Sequence, residues 1–326
     1  MSAPATDLAV RVARKQAEAQ DICSLELVAA DGGALPPFEA GAHVDVVLPA
    51  PGGEMIRQYS LCNAPGETHR YLIAVLREPD SRGGSDTVHD AVAEGDLLRI
   101  SVPRNHFALA PDAPHHLLLA GGIGITPLMA MAEQLSRQGA PFTLHHATRS
   151  RTRTPFLARI AASAFARQVI HHHSDGDATQ RLDIAATLTQ APAGSHLYVC
   201  GPQRFIDAAL ATGRDQGWPE ARLHCEYFAA AAIDTSGDGA FELEVASTGQ
   251  VITVLPKQTA LHALQAAGLD IASSCEEGVC GTCLTGVKSG VPDHRDHYLT
   301  TEEQQANDQF LPCCSRARSG RLVLAL

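Results

Sequence analysis

A chain of 326 residues with 45% hydrophobic and 19% charged side chains has the composition of an ordinary globular protein of two or three domains, which sets aside disorder and fibrous repeats. Its net charge of -11 argues against general affinity for nucleic acid, which needs basic surface to displace counterions, and suits docking to a basic patch on a protein partner. No apolar run is long enough to span a bilayer, and the opening MSAPATDLAVRVARKQ lacks the apolar core of a signal peptide, so a cytoplasmic location is expected.

Residues 1–110 alternate short apolar runs with Gly/Pro turns, among them VDVVLP, QYSLCN, YLIAVLRE and DLLRISVP, the spacing of a small antiparallel β-barrel. One strand carries Arg57-Gln58-Tyr59-Ser60-Leu61-Cys62-Asn63. Arg57, Tyr59 and Ser60, taken as alternating positions, are expected on one face, offering a cation to phosphate, a ring to a flat ligand such as a flavin and a hydroxyl beside it. By itself the run reads equally as an ordinary half-buried strand. The loop Ser81-Arg82-Gly83-Gly84-Ser85 precedes a helix expected from Asp86 to Ala93, and a Gly-rich loop at a helix start suits phosphate; its plain alternative is a solvent turn.

Residues 111–230 change rhythm. LLLAG, FTLHHA, VIHHHS and HLYVC are strand-like with helix-like stretches between them, which predicts an α/β domain with a parallel sheet. Gly121-Gly122-Ile123-Gly124-Ile125-Thr126-Pro127 follows the first of these strands, and its glycines would let a dinucleotide approach the backbone. Pro127 stands where the standard dinucleotide fingerprint has a third small residue, so the motif alone is weak. Cys200-Gly201-Pro202 ends a later strand, where the thiol could lie beside a nicotinamide or merely close a turn. Asp175, after the third strand, would repel a 2'-phosphate placed near it. The runs His115-His116, His145-His146 and His171-His172-His173 are taken as strand histidines, because successive strand residues point to opposite faces and do not converge on a metal by spacing.

AAAAIDTSGDGA has small and turn-forming residues and no apolar face, so 231–240 is expected to be a linker. In residues 241–326, FELEVAST and QVITVLP flank a turn and TALHALQAAGL has helical spacing. A cysteine-rich loop follows, Cys275-x4-Cys280-x2-Cys283, with Cys313 and Cys314 downstream. Three thiolates at this spacing and a distant fourth match the pattern that wraps a 2Fe-2S cluster. Gly278 and Gly281 would let the loop turn tightly enough for amide N–H groups to face sulfur. Zinc sites typically pair two short knuckles and fit less well. One of Cys313 and Cys314 is the fourth ligand.

Taken together and in this order, RQYSLCN, SRGGS, GGIGITP, CGP, EYF and CEEGVCGTC resemble the phthalate dioxygenase reductase and vanillate O-demethylase reductase family across essentially the whole chain. The resemblance implies a flavin barrel, a ferredoxin-reductase-type NADH domain and a C-terminal α+β plant-type ferredoxin domain of β-grasp fold. FMN, NADH, a 2Fe-2S cluster and a Rieske-type oxygenase as acceptor come with it. It assigns Arg57, Gln58, Tyr59 and Ser60, with Arg82, Gly83, Gly84 and Ser85, to the flavin and its phosphate. Gly122, Gly124, Ile125, Thr126 and Pro127, with Cys200, Gly201 and Pro202, fall to the pyridine nucleotide. Glu226 and Phe228 match the end of the nucleotide domain, where the family has an aromatic ring next to the flavin. It also places the fourth cluster ligand at Cys313, and Ser60, Thr126 and Cys200 around the transfer site. The same electron chain could serve a haem or di-iron monooxygenase, and a non-redox protein with structural zinc is the reading from another class.

Overall fold

The computed structural model describes residues 8–50, 53–79, 83–228 and 235–326, and the chain divides into two compact units, Met1–Glu226 and Tyr227–Leu326. The first unit opens with β1 (Leu8–Ala19), β2 (Ile22–Ala29), β3 (Ala42–Ala50), β4 (Gly53–Ser60), β5 (Tyr71–Leu76), α1 (Gly84–Asp90), β6 (Leu97–Ile100) and β7 (Arg104–Asn105). Its antiparallel barrel strands run in the order β4-β3-β6-β1-β2-β5, with β7 on β3. The pleat decides what is inside: Val44, Val46 and Leu48 of β3 are fully buried with Leu25, Leu27, Ile73 and Ile100, two-residue spacing that gives each strand an apolar face. Val88 of α1 belongs to the same core.

A parallel sheet follows within the same unit. It is built from β8 (His116–Gly121), α2 (Ile125–Gln138), β9 (Phe142–Thr148), α3 (Leu157–Ala161), β10 (Val169–His173), α4 (Ile184–Gln190), β11 (His196–Cys200), α5 (Gln203–Asp215) and β12 (Leu223–Glu226). The strand order is β10-β9-β8-β11-β12. Every residue of β8 is buried, the continuous apolar run of a strand covered on both faces. The order reverses between β8 and β11, and the carboxyl ends of strands at such a reversal are where open α/β sheets hold ligands.

The second unit contains β13 (Phe241–Val245), β14 (Val251–Val254), α6 (Ala260–Ala266), β15 (Thr285–Ser289), β16 (Pro292–Asp293), α7 (Thr301–Ala306), β17 (Gln309–Phe310), β18 (Arg316–Ala317) and β19 (Arg321–Leu324). The mixed sheet β14-β13-β19-β15-β17, with β13 and β19 parallel, packs against α6. That helix starts at Thr259, whose hydroxyl accepts from His262 N at 3.1 Å, a side-chain cap for an otherwise orphan amide. This is the β-grasp arrangement, and the cysteine loop joins α6 to β15. Of the expected linker, 231–234 lies outside the described residues. The remainder is tied to this unit: the Asp238 carboxylate accepts from Arg295 at 2.6 and 3.2 Å and lies 3.4 Å from Arg316 Nε.

Among the described residues no helix is long and apolar enough to cross a membrane.

The histidines of the first unit make its stability sensitive to acid. Burial lowers His43, His145 and His224 to about 4 and His146 to about 3, from a usual 6.5. Between pH 6.5 and 4 the unfolded chain therefore binds protons that the folded chain refuses, so folding stability falls as pH drops through that window and rises as it returns. The melting temperature is expected to decline steadily from pH 6.5 to 4.5, and His146→Gln, which keeps a donor but does not titrate, should flatten the slope. A variant slope as steep as the parent's would remove His146 from the account.

Candidate functional site

Adjacent residues on β4 point to opposite faces, and cross-strand partners show which is which. Arg57 and Tyr59 pair with the core residues Val46 and Val44, whereas Gln58 and Ser60 pair with Asp45 and His43. Arg57, Tyr59 and Ser60 therefore do not share one face, contrary to expectation; Ser60 immediately follows Tyr59 and sits on the side of Gln58. The Gln58 amide donates to Asp45 Oδ1 at 2.9 Å, and Arg104 holds the other oxygen of that carboxylate at 2.7 Å. Tyr59 is half-buried, and burial pushes its hydroxyl up beyond the usual tyrosine range.

The Arg57 side chain lies across the start of α1. A Cβ on Gly84 would stand 2.7 Å from Arg57 Nε and 2.8 Å from its Cγ, so only glycine leaves room for the guanidinium there. Gly83 precedes it at φ 91, left-handed backbone that favours glycine. The Ser85 hydroxyl accepts from Glu78 N at 3.1 Å, closing the loop. A cation folded over a glycine turn has the donor chemistry that fits a phosphate. Arg82 lies outside the described residues.

At the switch point the glycines have a different first duty from the one expected. A Cβ on Gly124 would lie 2.2 Å from Cys200 O and 2.5 Å from Gly201 N, and one on Gly201 would lie 2.8 Å from Gly121 Cα. These residues let the turn after β8 and the turn after β11 interlock, backbone on backbone. Gly122 is the exception: at φ 55 a Cβ there would meet nothing, so it is the glycine whose backbone faces open space. His146 Nε2 donates to Gly122 O at 3.0 Å, a support no local sequence signal announces because it comes from the neighbouring strand. Ile125 is fully buried, and Pro127 is buried in the first turn of α2, where proline is tolerated. The Thr126 hydroxyl donates to Ile123 O at 3.1 Å, which fixes the turn. Pro202 sets the start of α5. Asp175 is exposed beyond β10, its amide donating to Arg149 O at 2.9 Å.

Ser60 joins the two halves of this unit: its hydroxyl donates to Glu226 Oε2 at 3.3 Å. Burial raises Glu226 to about 8, with the Ser60 hydrogen bond opposing, so its carboxyl can hold a proton near neutral pH. Cys200, in register with Glu226, is fully buried, and burial pushes its thiol well above its usual value. The thiol is therefore neutral. Phe228 follows β12 and is 39% exposed.

In the second unit the thiols meet in pairs. A hydrogen bond between Cys275 and Cys280 holds the Cys280 thiol below its usual value and pushes Cys275 up. Cys313 is in hydrogen-bonding reach of both Cys283 and Cys314, and both raise it. Glu277 N donates to Cys275 Sγ at 3.3 Å and Thr282 N to Cys280 Sγ at 3.4 Å, so the loop does turn amides toward sulfur. It can because Gly278 and Gly281 stand at φ 76 and 69 with no space for side chains, the first against Cys314 Sγ and the second against the Tyr298 ring. Four soft sulfur donors, two of them accepting backbone amides, are the donor chemistry of an iron-sulfur cluster. Cys314 packs inward instead, 3.7 Å from Leu311 O and from Ser315 Oγ.

The strand histidines form cross-strand pairs: His145 Nδ1 and His172 Nε2 are 3.0 Å apart, as are His196 Nδ1 and His224 Nε2, with stacked rings in both cases.

Comparison with known proteins gives a consistent result. Residues 243–318 match the 2Fe-2S iron-sulfur cluster binding domain, and 100–223 match the N-terminal domain of dimethylamine monooxygenase subunit DmmA-like proteins. The vanillate O-demethylase oxidoreductase of Pseudomonas putida is 53% identical, covering 98% of this chain and 99% of its own length. The phthalate dioxygenase reductase of Burkholderia cepacia is 38% identical over the full length of both. The solved phthalate dioxygenase reductase, described as a modular structure for electron transfer from pyridine nucleotides to [2Fe-2S], superposes with a TM-score of 0.74 at 38% identity and covers 98% of each chain. An intact type IV self-sufficient cytochrome P450 monooxygenase matches with a TM-score of 0.86 at 38% identity, over 98% of this chain and 41% of that longer one.

Proposed function

Because the chain belongs to the family of vanillate O-demethylase oxidoreductases and phthalate dioxygenase reductases, we propose that it takes hydride from NADH and delivers single electrons, by way of FMN and a 2Fe-2S cluster, to a Rieske-type oxygenase or O-demethylase in the cytoplasm. It is an oxidoreductase, the reductase component of an oxygenase system. The observation that carries this reading is the cysteine loop, in which Cys275 meets Cys280, Cys283 meets Cys313, and backbone amides donate to the first two sulfurs, on the same chain as a parallel sheet with a switch point.

A flavin, when bound, supplies the conversion between a two-electron hydride and one-electron carriers. The chain supplies position. Arg57 and the 82–85 loop hold the phosphate, and Tyr59 offers a ring to the flavin. Gly122 lets the nucleotide approach the backbone, while Gly124, Ile125, Thr126 and Pro127, with Gly201 and Pro202, shape the floor beneath it and Asp175 disfavours a 2'-phosphate. Ser60, Thr126 and Cys200 surround the transfer site, where a neutral thiol and a carboxyl that holds its proton at Glu226 add no negative charge against an arriving hydride donor.

Anaerobic NADH is expected to bleach both flavin and cluster absorption, and the reduced protein to restore turnover of a Rieske-type oxygenase. A colourless, zinc-containing protein would sink the reading and favour the non-redox alternative. A second acceptor is favoured by one observation, the match to a segment of a self-sufficient cytochrome P450 monooxygenase: turnover with a haem monooxygenase and none with a Rieske protein would select it.

A further inference from the structure

Lys15 lies on β1, far along the chain from every motif considered above, and its ammonium meets the opposite end of the phosphate-loop helix. Nζ donates to Val88 O at 2.8 Å, His89 O at 2.7 Å and Val92 O at 2.7 Å. An ammonium has three protons, and all three are used on carbonyls at the close of α1, where the helix leaves its acceptors without partners and its dipole is negative. We infer that Lys15 is a positioning residue for flavin phosphate, acting through α1 to hold Gly83–Ser85 in register with Arg57. The inference rests on the phosphate role proposed for that cradle.

α1 spans Gly84–Asp90 and has no side-chain cap at its start; a helix of under two turns does not persist alone. It is kept in place by Val88 in the barrel core, by His89 Nε2 against Val75 O at 3.0 Å, and by the three Lys15 contacts. At the other end Arg57 occupies the space a Gly84 Cβ would need, so a small slide or rotation of the helix drives backbone into guanidinium or opens a gap. The three hydrogen bonds of Lys15 Nζ all go to the far end of α1, and β1 holds Lys15 on the barrel wall, its Cα opposite Leu25.

The test exploits the difference between FMN and riboflavin, which share the ring and differ in the phosphate. Apo-protein of the parent, Lys15→Met and Lys15→Arg is titrated with each flavin by fluorescence quenching, alongside thermal melting. The parent should prefer FMN. Lys15→Met should lose about tenfold in FMN affinity, the size expected for removing a cation from a helix end, and bind riboflavin as the parent does. Lys15→Arg, which keeps the charge and several donors, should recover most of the loss. Should Lys15→Met fail to fold, Lys15→Gln is read in the same way. Equal losses for both flavins would mean a general structural role, and no loss for either would mean none; both overturn the inference. A parent that binds the two flavins equally would overturn the phosphate reading itself, a separate and recognisable failure.

Discussion

Cys313→Ser is expected to purify with little iron and without the visible spectrum of a 2Fe-2S cluster, whereas Cys314→Ser keeps both. Two neighbouring thiols of the same chemistry differ only in where the backbone sends them. Cys313 reaches Cys283. Cys314 is turned beneath the loop, its Sγ 2.5 Å from the place a Gly278 Cβ would take and within 3.7 Å of Leu311 O. A serine at 313 offers a hard oxygen where soft iron-sulfur chemistry wants thiolate, and the remaining three cysteines leave one coordination position open. At 314 serine is smaller and finds polar company in Ser315 Oγ at 3.7 Å. Iron analysis and absorption spectra of the two purified variants decide the matter, and iron loss from Cys314→Ser alone would transfer the ligand role to that residue.

Gly124→Ala should destabilise the first unit by about 3 kcal/mol or more and abolish reduction by NADH in whatever folds. The backbone of Gly124 has φ -60 and ψ -2, which alanine adopts without strain, so conformation contributes nothing to the effect. The cost is collision: the new methyl would stand 2.2 Å from Cys200 O, 2.3 Å from Cys200 C and 2.5 Å from Gly201 N, backbone atoms that cannot rotate aside. Gly122→Ala, two positions away, is the control. There φ is 55 and the methyl enters empty space, so only the left-handed penalty of about 1 kcal/mol remains. Denaturant unfolding and NADH reduction of both variants test the contrast, and a Gly124→Ala protein as stable as its Gly122→Ala counterpart would mean that the two turns do not interlock as described.

What could be read from the chain alone was what depends on local spacing. The x4 and x2 intervals among Cys275, Cys280 and Cys283 are short enough for one loop to satisfy, and the strand-helix alternation after residue 111 is a local pattern, so the cluster and the parallel sheet were both legible. What depended on neighbours distant in sequence was not. The run of motif residues suggests one face for Ser60 and Tyr59, but the pleat separates adjacent residues, and the partner of Ser60, Glu226, stands at the far end of the unit. The glycines of the 121–127 turn suggest room for a ligand, but Gly121 and Gly124 first make room for Cys200 to Pro202. The stretch before residue 241 reads as a polar linker because no local pattern shows that Arg295 and Arg316 converge on Asp238. The histidine runs conveyed nothing about pairing, since His145 meets His172 and His196 meets His224 only across strands.

The interlocked turns beneath the switch point also bear on how such a reductase can change over generations. Where Gly124 rests on Cys200 and Gly201, a replacement in either turn adds atoms that the other turn must absorb, so these positions can drift only together. In the exposed stretch 174–180 beyond β10 the atom that a Gly176 Cβ would meet, at 2.1 Å, is the end of the flexible Gln180 side chain, which can move aside as a backbone turn cannot. Replacements should therefore accumulate along that exposed stretch while the interlocked turns stay fixed, and grafting the stretch from one relative onto another should be tolerated far more often than grafting either turn.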